Sequence, residues 1–126
     1  MAQTIDQQYI ATTEMMKSKF IGYAIPLDDP LKFKEILAAI KKEHPKAKHV
    51  VYAYRCGIAS KSCDDQEPKG TAGRPLLELL NKRNLDKVAV VVVRYFGGTL
   101  LGASRLLRTY VQAGNAAINM AHLLDL

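Results

Sequence analysis

The sequence predicts an α/β or α+β domain, a β-sheet with helices packed on it, over a single unit of 126 residues. Two observations carry this. Lys87-Val-Ala-Val-Val-Val-Val-Arg94 is apolar on both faces of any strand it forms, as the interior strand of a covered sheet must be. Two stretches with apolar residues at helical spacing, around Phe33–Ile40 and Leu106–Ala121, supply the covering layers.

Taken in order, Gln8 to Glu14 and Phe20 to Leu27 are rich in β-branched and aromatic residues and are predicted as strands. A helix then begins after Asp29, which can cap it, with Pro30 suited to its first position. Phe33, Ile36, Leu37 and Ile40 form its apolar stripe, Lys41, Lys42 and His44 suit its last turn, and Pro45 stops it. Val50, Tyr52, Tyr54, Cys56 and Ile58 alternate with His49, Val51, Ala53, Arg55 and Gly57, a period of two that predicts a long strand. Ser60 to Gly73 is a polar loop, and Pro75 to Asn84, with four leucines, is a short helix. After the strand at Lys87–Arg94, Phe96-Gly97-Gly98 makes a turn into a last helix. Its stripe contains Ala103, Leu106, Tyr110, Gly114, Ala117, Ile118 and Ala121.

Composition excludes several classes. The chain is 48% apolar and 24% charged, outside the disordered and collagenous ranges. Its longest unbroken apolar run, Val88 to Val93, is far short of the roughly 20 residues of a membrane helix. Met1-Ala2-Gln3-Thr4-Ile5-Asp6 has no secretory pattern, so a soluble cytoplasmic domain is expected. Cys56 and Cys63 are expected as free thiols, because no close Cys or His pair accompanies them. The net charge is +6, and between Lys69 and Ala113 the basic residues are Lys69, Arg74, Lys82, Arg83, Lys87, Arg94, Arg105 and Arg108 against only Glu78 and Asp86. That balance is compatible with a polyanionic partner.

Three segments could carry function; one, the lysine-rich stretch Lys41 to His49, could contact phosphate, though a charged run at a helix end is usually a solvated face. In Arg94-Tyr95-Phe96-Gly97-Gly98-Thr99-Leu100-Leu101-Gly102, glycines and a helix N-terminus can hold an anion, with Arg94, Arg105 and Arg108 supplying charge. It is neither a Walker loop nor a Gly-x-Gly-x-x-Gly fingerprint, so no nucleotide cofactor is implied. The third is Cys63-Asp64-Asp65-Gln66-Glu67-Pro68-Lys69-Gly70-Thr71-Ala72-Gly73-Arg74, whose carboxylates can accept from loop amides, pair with Arg74 or Arg94, or dock a partner. Their spacing matches no Ca²⁺ loop, and no metal is expected. His49 and Cys56 fall on opposite faces of one strand, which excludes a Cys–His nucleophile pair.

The last two segments resemble the IMPACT (YigZ-like, UPF0029) family. Its N-terminal domain carries motifs like Asp-Asp-x-Glu-Pro-x-Gly-Thr-Ala-Gly-x-Pro, here Asp64 to Pro75, and Arg-Tyr-Phe-Gly-Gly-x-x-Leu-Gly, here Arg94 to Gly102. Lys19-Phe20, His49 and Ala53 also fit, and the likeness spans roughly residues 17 to 115. Gln66 stands where relatives usually carry Gly, Cys63 where they carry Ser, and Ser104-Arg105 where they carry Gly-Gly. The resemblance implies an α+β fold like domain 2 of ribosomal protein S-five: a two-layer mixed sheet, helices on one face and a left-handed βαβ crossover. It also implies that residues 1–126 are one such domain without the ferredoxin-like C-terminal domain of longer relatives.

The resemblance further implies a translation-associated role, since the eukaryotic member regulates translation under amino-acid starvation. The expectation is therefore a non-enzymatic module that binds RNA or a ribosome-associated protein and uses no cofactor. Arg74, Arg94, Arg105 and Arg108 would meet phosphates, with Gly97 and Gly98 allowing close approach. Asp64, Asp65, Glu67, Pro68, Gly70, Thr71 and Gly73 would form a partner-binding loop. The alternative is an enzyme or small-anion and nucleotide-binding domain that uses this acidic loop and the glycine-rich turn.

Overall fold

A computed structural model describes residues 1–126. The strands are β1 (Gln3–Ile5), β2 (Tyr9–Met15), β3 (Ser18–Pro26), β4 (His49–Cys56), β5 (Ala59–Cys63), β6 (Val88–Tyr95) and β7 (Leu123–Asp125). The helices are α1 (Phe33–Glu43), α2 (Gly73–Lys82) and α3 (Ala103–Met120). Five strands form one sheet in the order β2-β3-β6-β4-β5, and β1 pairs with β7 in a separate ribbon. The class is α+β, as expected.

Local chemistry explains most boundaries. Met16 and Lys17, both at positive φ (47° and 69°), make the tight turn that joins β2 to β3. Asp29 accepts from the Leu31 amide at 3.0 Å and caps a single 3₁₀ turn, Pro30–Lys32, from which α1 continues. At the far end of α1, His44 is held between the hydroxyls of Tyr23 (2.8 Å) and Tyr95 (2.5 Å).

Every ladder of the five-stranded sheet is antiparallel, whereas a mixed sheet was expected. Parallel relations survive only between non-neighbours, because β6 lies between β3 and β4, and β4 between β6 and β5. Nor do the helices share one face. Phe20, Ala24, Val51, Ala53, Val88, Val90 and Val92 face α2 and α3. Ile21, Tyr23, Ile25, Val50, Tyr52, Val91 and Val93 face α1 through Phe33 and Ile40. The all-apolar β6 requires cover on both sides, and this arrangement supplies it.

The crossover hand follows from the same facts. Viewed with β3 pointing up, β3 passes rightward to the parallel β4 by way of α1 on one face. β5 passes leftward to the parallel β6 by way of α2 on the other, with both strands pointing down. Half a turn about the sheet normal makes the two connections mirror images, so one of them is left-handed, against the usual rule.

Three elements escape the apolar patterns. β5 occupies the front of the predicted polar loop, since an edge strand of Ala-Ser-Lys-Ser-Cys shows no alternation; its signal is the two-residue turn Gly57-Ile58, with Gly57 at φ 63°. β1 and β7 are three residues each and pair across almost the whole chain, Gln3 with Asp125 and Ile5 with Leu123.

Candidate functional site

Asp64 organises the loop after β5. Its carboxylate accepts from the amides of Gly70 (2.9 Å), Ala72 (3.1 Å) and Gly73 (2.8 Å), so it also tethers the start of α2. Gly73 packs flat on the chain at Cys63, where a Cβ would lie 2.5 Å from the Cys63 amide nitrogen. Asp65 turns the other way: its Oδ2 accepts from the Val50 amide at 2.7 Å and its carbonyl accepts from His49 Nδ1 at 2.7 Å. Pro68 gives its carbonyl to the Thr71 hydroxyl at 2.5 Å and to the Thr71 amide at 3.1 Å. Asp65 and Gln66 both sit in the left-handed region, φ 44° and 67°, which explains the suitability of glycine at position 66. Carboxylate-to-amide bonding and pairing with Arg94 are thus what this loop uses.

That turn delivers Glu67 onto the sheet. Register places Phe20 and His49 directly across from Arg94 on its two neighbouring strands, all on the face under α3. Glu67, 7% exposed, meets Arg94, 5% exposed, with Nη1 donating to Oε2 at 2.6 Å. Tyr110 of α3 donates its hydroxyl to the same Oε2, and its ring stands edge-on to Phe20 with centroids 5.1 Å apart. His49 Nε2 lies 3.3 Å from Oε1. A carbonyl can only accept, so His49 Nδ1 donates to Asp65. The cluster therefore holds a buried carboxylate against the Arg94 and Tyr110 donors, with His49 alongside, in a space where an unpaired charge would be costly. Burial, with Glu67 alongside, pushes the Tyr110 phenol far above its ordinary 10.0.

Arg94 is not an exposed cation. Its guanidinium carbon lies 5.5 Å from the centre of the Phe20 ring and 5.9 Å from that of Phe96, and its Nε has no hydrogen-bond partner. Beside it opens a pocket of about 450 Å³, lined by Lys48, His49, Glu67, Pro68, Arg94, Phe96, Leu100, Leu101, Gly102, Ala103 and Leu106. The two sequence motifs thus meet at one place.

The remaining candidates are dispersed. Arg74 is exposed on α2 and pairs with Glu78 at 3.5 Å. Arg105 and Arg108 are exposed on α3, with Arg105 reaching the Met16 sulfur at the β2–β3 turn. Gly97 is constrained by the protein itself: its amide donates to Ser18 Oγ at 3.1 Å, and a Cβ there would collide with the Lys17 backbone. Gly98, at φ 92°, faces open space. Both cysteines are free; Cys56 faces α1, where burial pushes its thiol up, and His49 faces the other way. Tyr110 and Lys48 are site residues that periodicity could not single out. Tyr110 reads as one more member of an apolar stripe, and Lys48 as one more lysine in a charged run.

Residues 16–118 match the model of the Impact N-terminal domain. Over 106 residues the chain is 42% identical to the IMPACT family member YvyE of Bacillus subtilis (strain 168), covering 82% of this chain and 49% of YvyE. A crystal structure described as that of a hypothetical protein superposes with a TM-score of 0.92 at 31% identity, over 97% of this chain and 62% of that one. The structure of Yih1, described as a two-domain translational regulator, shares the fold with a TM-score of 0.50 at 23% identity, over 95% of this chain and 47% of Yih1. The chain spans about half the length of the curated bacterial relatives it matches. No helix is long and apolar enough to cross a membrane. With its matched region covering both motifs and the strands that join them, the chain belongs to the Impact N-terminal domain family.

Proposed function

We propose that this domain is a non-enzymatic binding module acting in translation, and that it contacts RNA through phosphates. One observation carries it: at the end of the sheet where both motifs lie, Lys17, Lys19, Arg105 and Arg108 are exposed with no carboxylate within 4.0 Å. Of the nearby acids, Asp64 and Asp65 bond backbone amides and Glu67 the cluster, while Glu14, exposed across the β2–β3 ladder from Lys19, offsets part of the charge. A surface whose cations outnumber its acids is electropositive, and such a surface attracts polyanions. The translational setting draws on the family's motifs and on the fold shared with Yih1. Arg74 and Arg94 take no part in this version of the interface, the first being paired on α2 and the second buried.

The test is fluorescence anisotropy with a generic single-stranded RNA across salt. Four phosphate contacts would give a slope of about −2.8 in log K against log salt, a loss of about 50-fold between about 50 and 200 mM. Arg105→Glu with Arg108→Glu should halve that slope. Absence of binding at low salt would discard RNA and turn attention to a ribosome-associated protein, with the Asp64–Gly73 loop as the surface to alter.

A further inference from the structure

We infer that the pocket beside Arg94 is a binding site for a small monocarboxylate carried on an apolar body. It uses side chains other than those proposed to meet RNA. Three independent features converge there. First, the Arg94 side chain lines the pocket at 7% exposure, and Nη1 is the only nitrogen of its fork that donates to a protein acceptor. A guanidinium with N–H groups left unpaired is unfavourable, and a ligand oxygen at Nη2, which is not sealed as Nε is, would relieve part of that cost. Second, α3 begins at the pocket with Gly102 and Ala103 in the lining. No side chain caps it, no acidic residue occupies its first turn, and the amides of Ala103, Ser104 and Arg105 meet no acceptor. An eighteen-residue helix with an open N-terminus favours an anion at that end.

Third, the pocket has an apolar lining. Phe96, Leu100, Leu101 and Leu106 line it, and Phe96 and Leu100 are 46% and 85% exposed, so a ligand's apolar part would cover surface now facing water. The charge balance selects the anion. With His49 counted as neutral, Lys48 and Arg94 against Glu67 leave a formal surplus of one positive charge, which a single carboxylate neutralises and a polyphosphate would exceed. A volume of about 450 Å³ suits a body the size of one or two amino acids.

The experiment titrates the full chain with N-acetylphenylalanine, its uncharged amide, and dimethyl phosphate, followed by calorimetry and amide NMR shifts. The expected result is a Kd on the order of 1 mM or below for the acid, at least about tenfold tighter than for the amide. Shifts should be confined to residues 96–106, Lys48 and Arg94. Ala103→Asp supplies the helix with its own anion: it should weaken the acid by at least about tenfold while leaving the melting temperature unchanged or raised. That pairing separates loss of the site from loss of the fold. Equal binding of acid and amide, no binding of the acid at about 10 mM, an unaltered affinity in Ala103→Asp, or tighter binding of dimethyl phosphate would each overturn the proposal. The RNA titration reads Arg105 and Arg108 instead, so the two can fail separately.

Discussion

Removing Glu67 should be among the most damaging single substitutions in this domain. Glu67→Ala leaves the Arg94 guanidinium, 5% exposed, without its carboxylate, and takes the acceptor from Tyr110 and the partner from His49. Breaking a buried pair from one side costs about 3–5 kcal/mol, a large share of the roughly 5–15 kcal/mol that holds such a domain. The unfolding entropy of about 2.1 cal/mol/K per residue comes to about 0.26 kcal/mol/K for 126 residues, so the melting temperature should fall by about 11–19 °C. Arg94→Met should cost a similar amount, because it strands the carboxylate. The decisive variant is the double, Glu67→Ala with Arg94→Met, in which neither charge of the pair is left buried. It should recover about 2 kcal/mol relative to the sum of the singles. Thermal and urea unfolding followed by circular dichroism measure all three. Singles costing under about 1 kcal/mol, or a strictly additive double, would refute the view that one buried, mutually neutralised cluster holds the loop to the sheet.

Other outcomes follow from the same geometry. Gly97→Ala forces a Cβ into the backbone at Lys17 and Ser18 and should destabilise by about 1–3 kcal/mol, read as a lowered urea midpoint. Gln66→Gly relieves a side chain at φ 67° and should raise stability by about 1 kcal/mol, or about 4 °C in melting temperature; no change would mean the left-handed turn carries no strain. The alkaline limb of stability should be governed in part by Tyr110, whose folded-state ionisation lies far above the ordinary 10.0. The folded chain keeps a proton that the unfolded chain releases, so this contribution is complete below about pH 10 and is lost as pH rises beyond it. Absorbance at tyrosinate wavelengths should show Tyr110 ionising only with unfolding, and Tyr110→Phe should flatten that limb.

The sequence made the layers legible because helices and interior strands carry periodic apolar patterns. Val88 to Val93 could belong only to a covered strand, and Asp29-Pro30 marked the entry to α1. What periodicity cannot carry is pairing between distant residues. β1 with β7, and the interleaving that makes every neighbour antiparallel, depend on contacts across much of the chain. The buried Glu67–Arg94 pair was hidden for the same reason. A carboxylate in a polar loop and an arginine at a strand end each look solvated until register sets Phe20, Arg94 and His49 in one row beneath Tyr110. The possibility that Glu67 pairs with Arg94 could be written from charge alone, but its burial could not.

Burial of that pair in turn shapes what the site can bind. Glu67 takes up Arg94 Nη1 and the Tyr110 hydroxyl on Oε2 and faces His49 through Oε1. Arg94 is thereby locked between Phe20 and Phe96, with Nη1 the only nitrogen of its fork that meets a protein acceptor. Gly97, pressed against the β2–β3 turn, fixes the course of the chain from β6 toward α3, whose open amides begin at the same pocket. A floor whose arginine keeps unpaired donors suits recognition of an anion. The two motifs therefore need each other: Asp64 and Asp65 shape the turn that presents Glu67, and Glu67 holds Arg94 in place for whatever enters beside it.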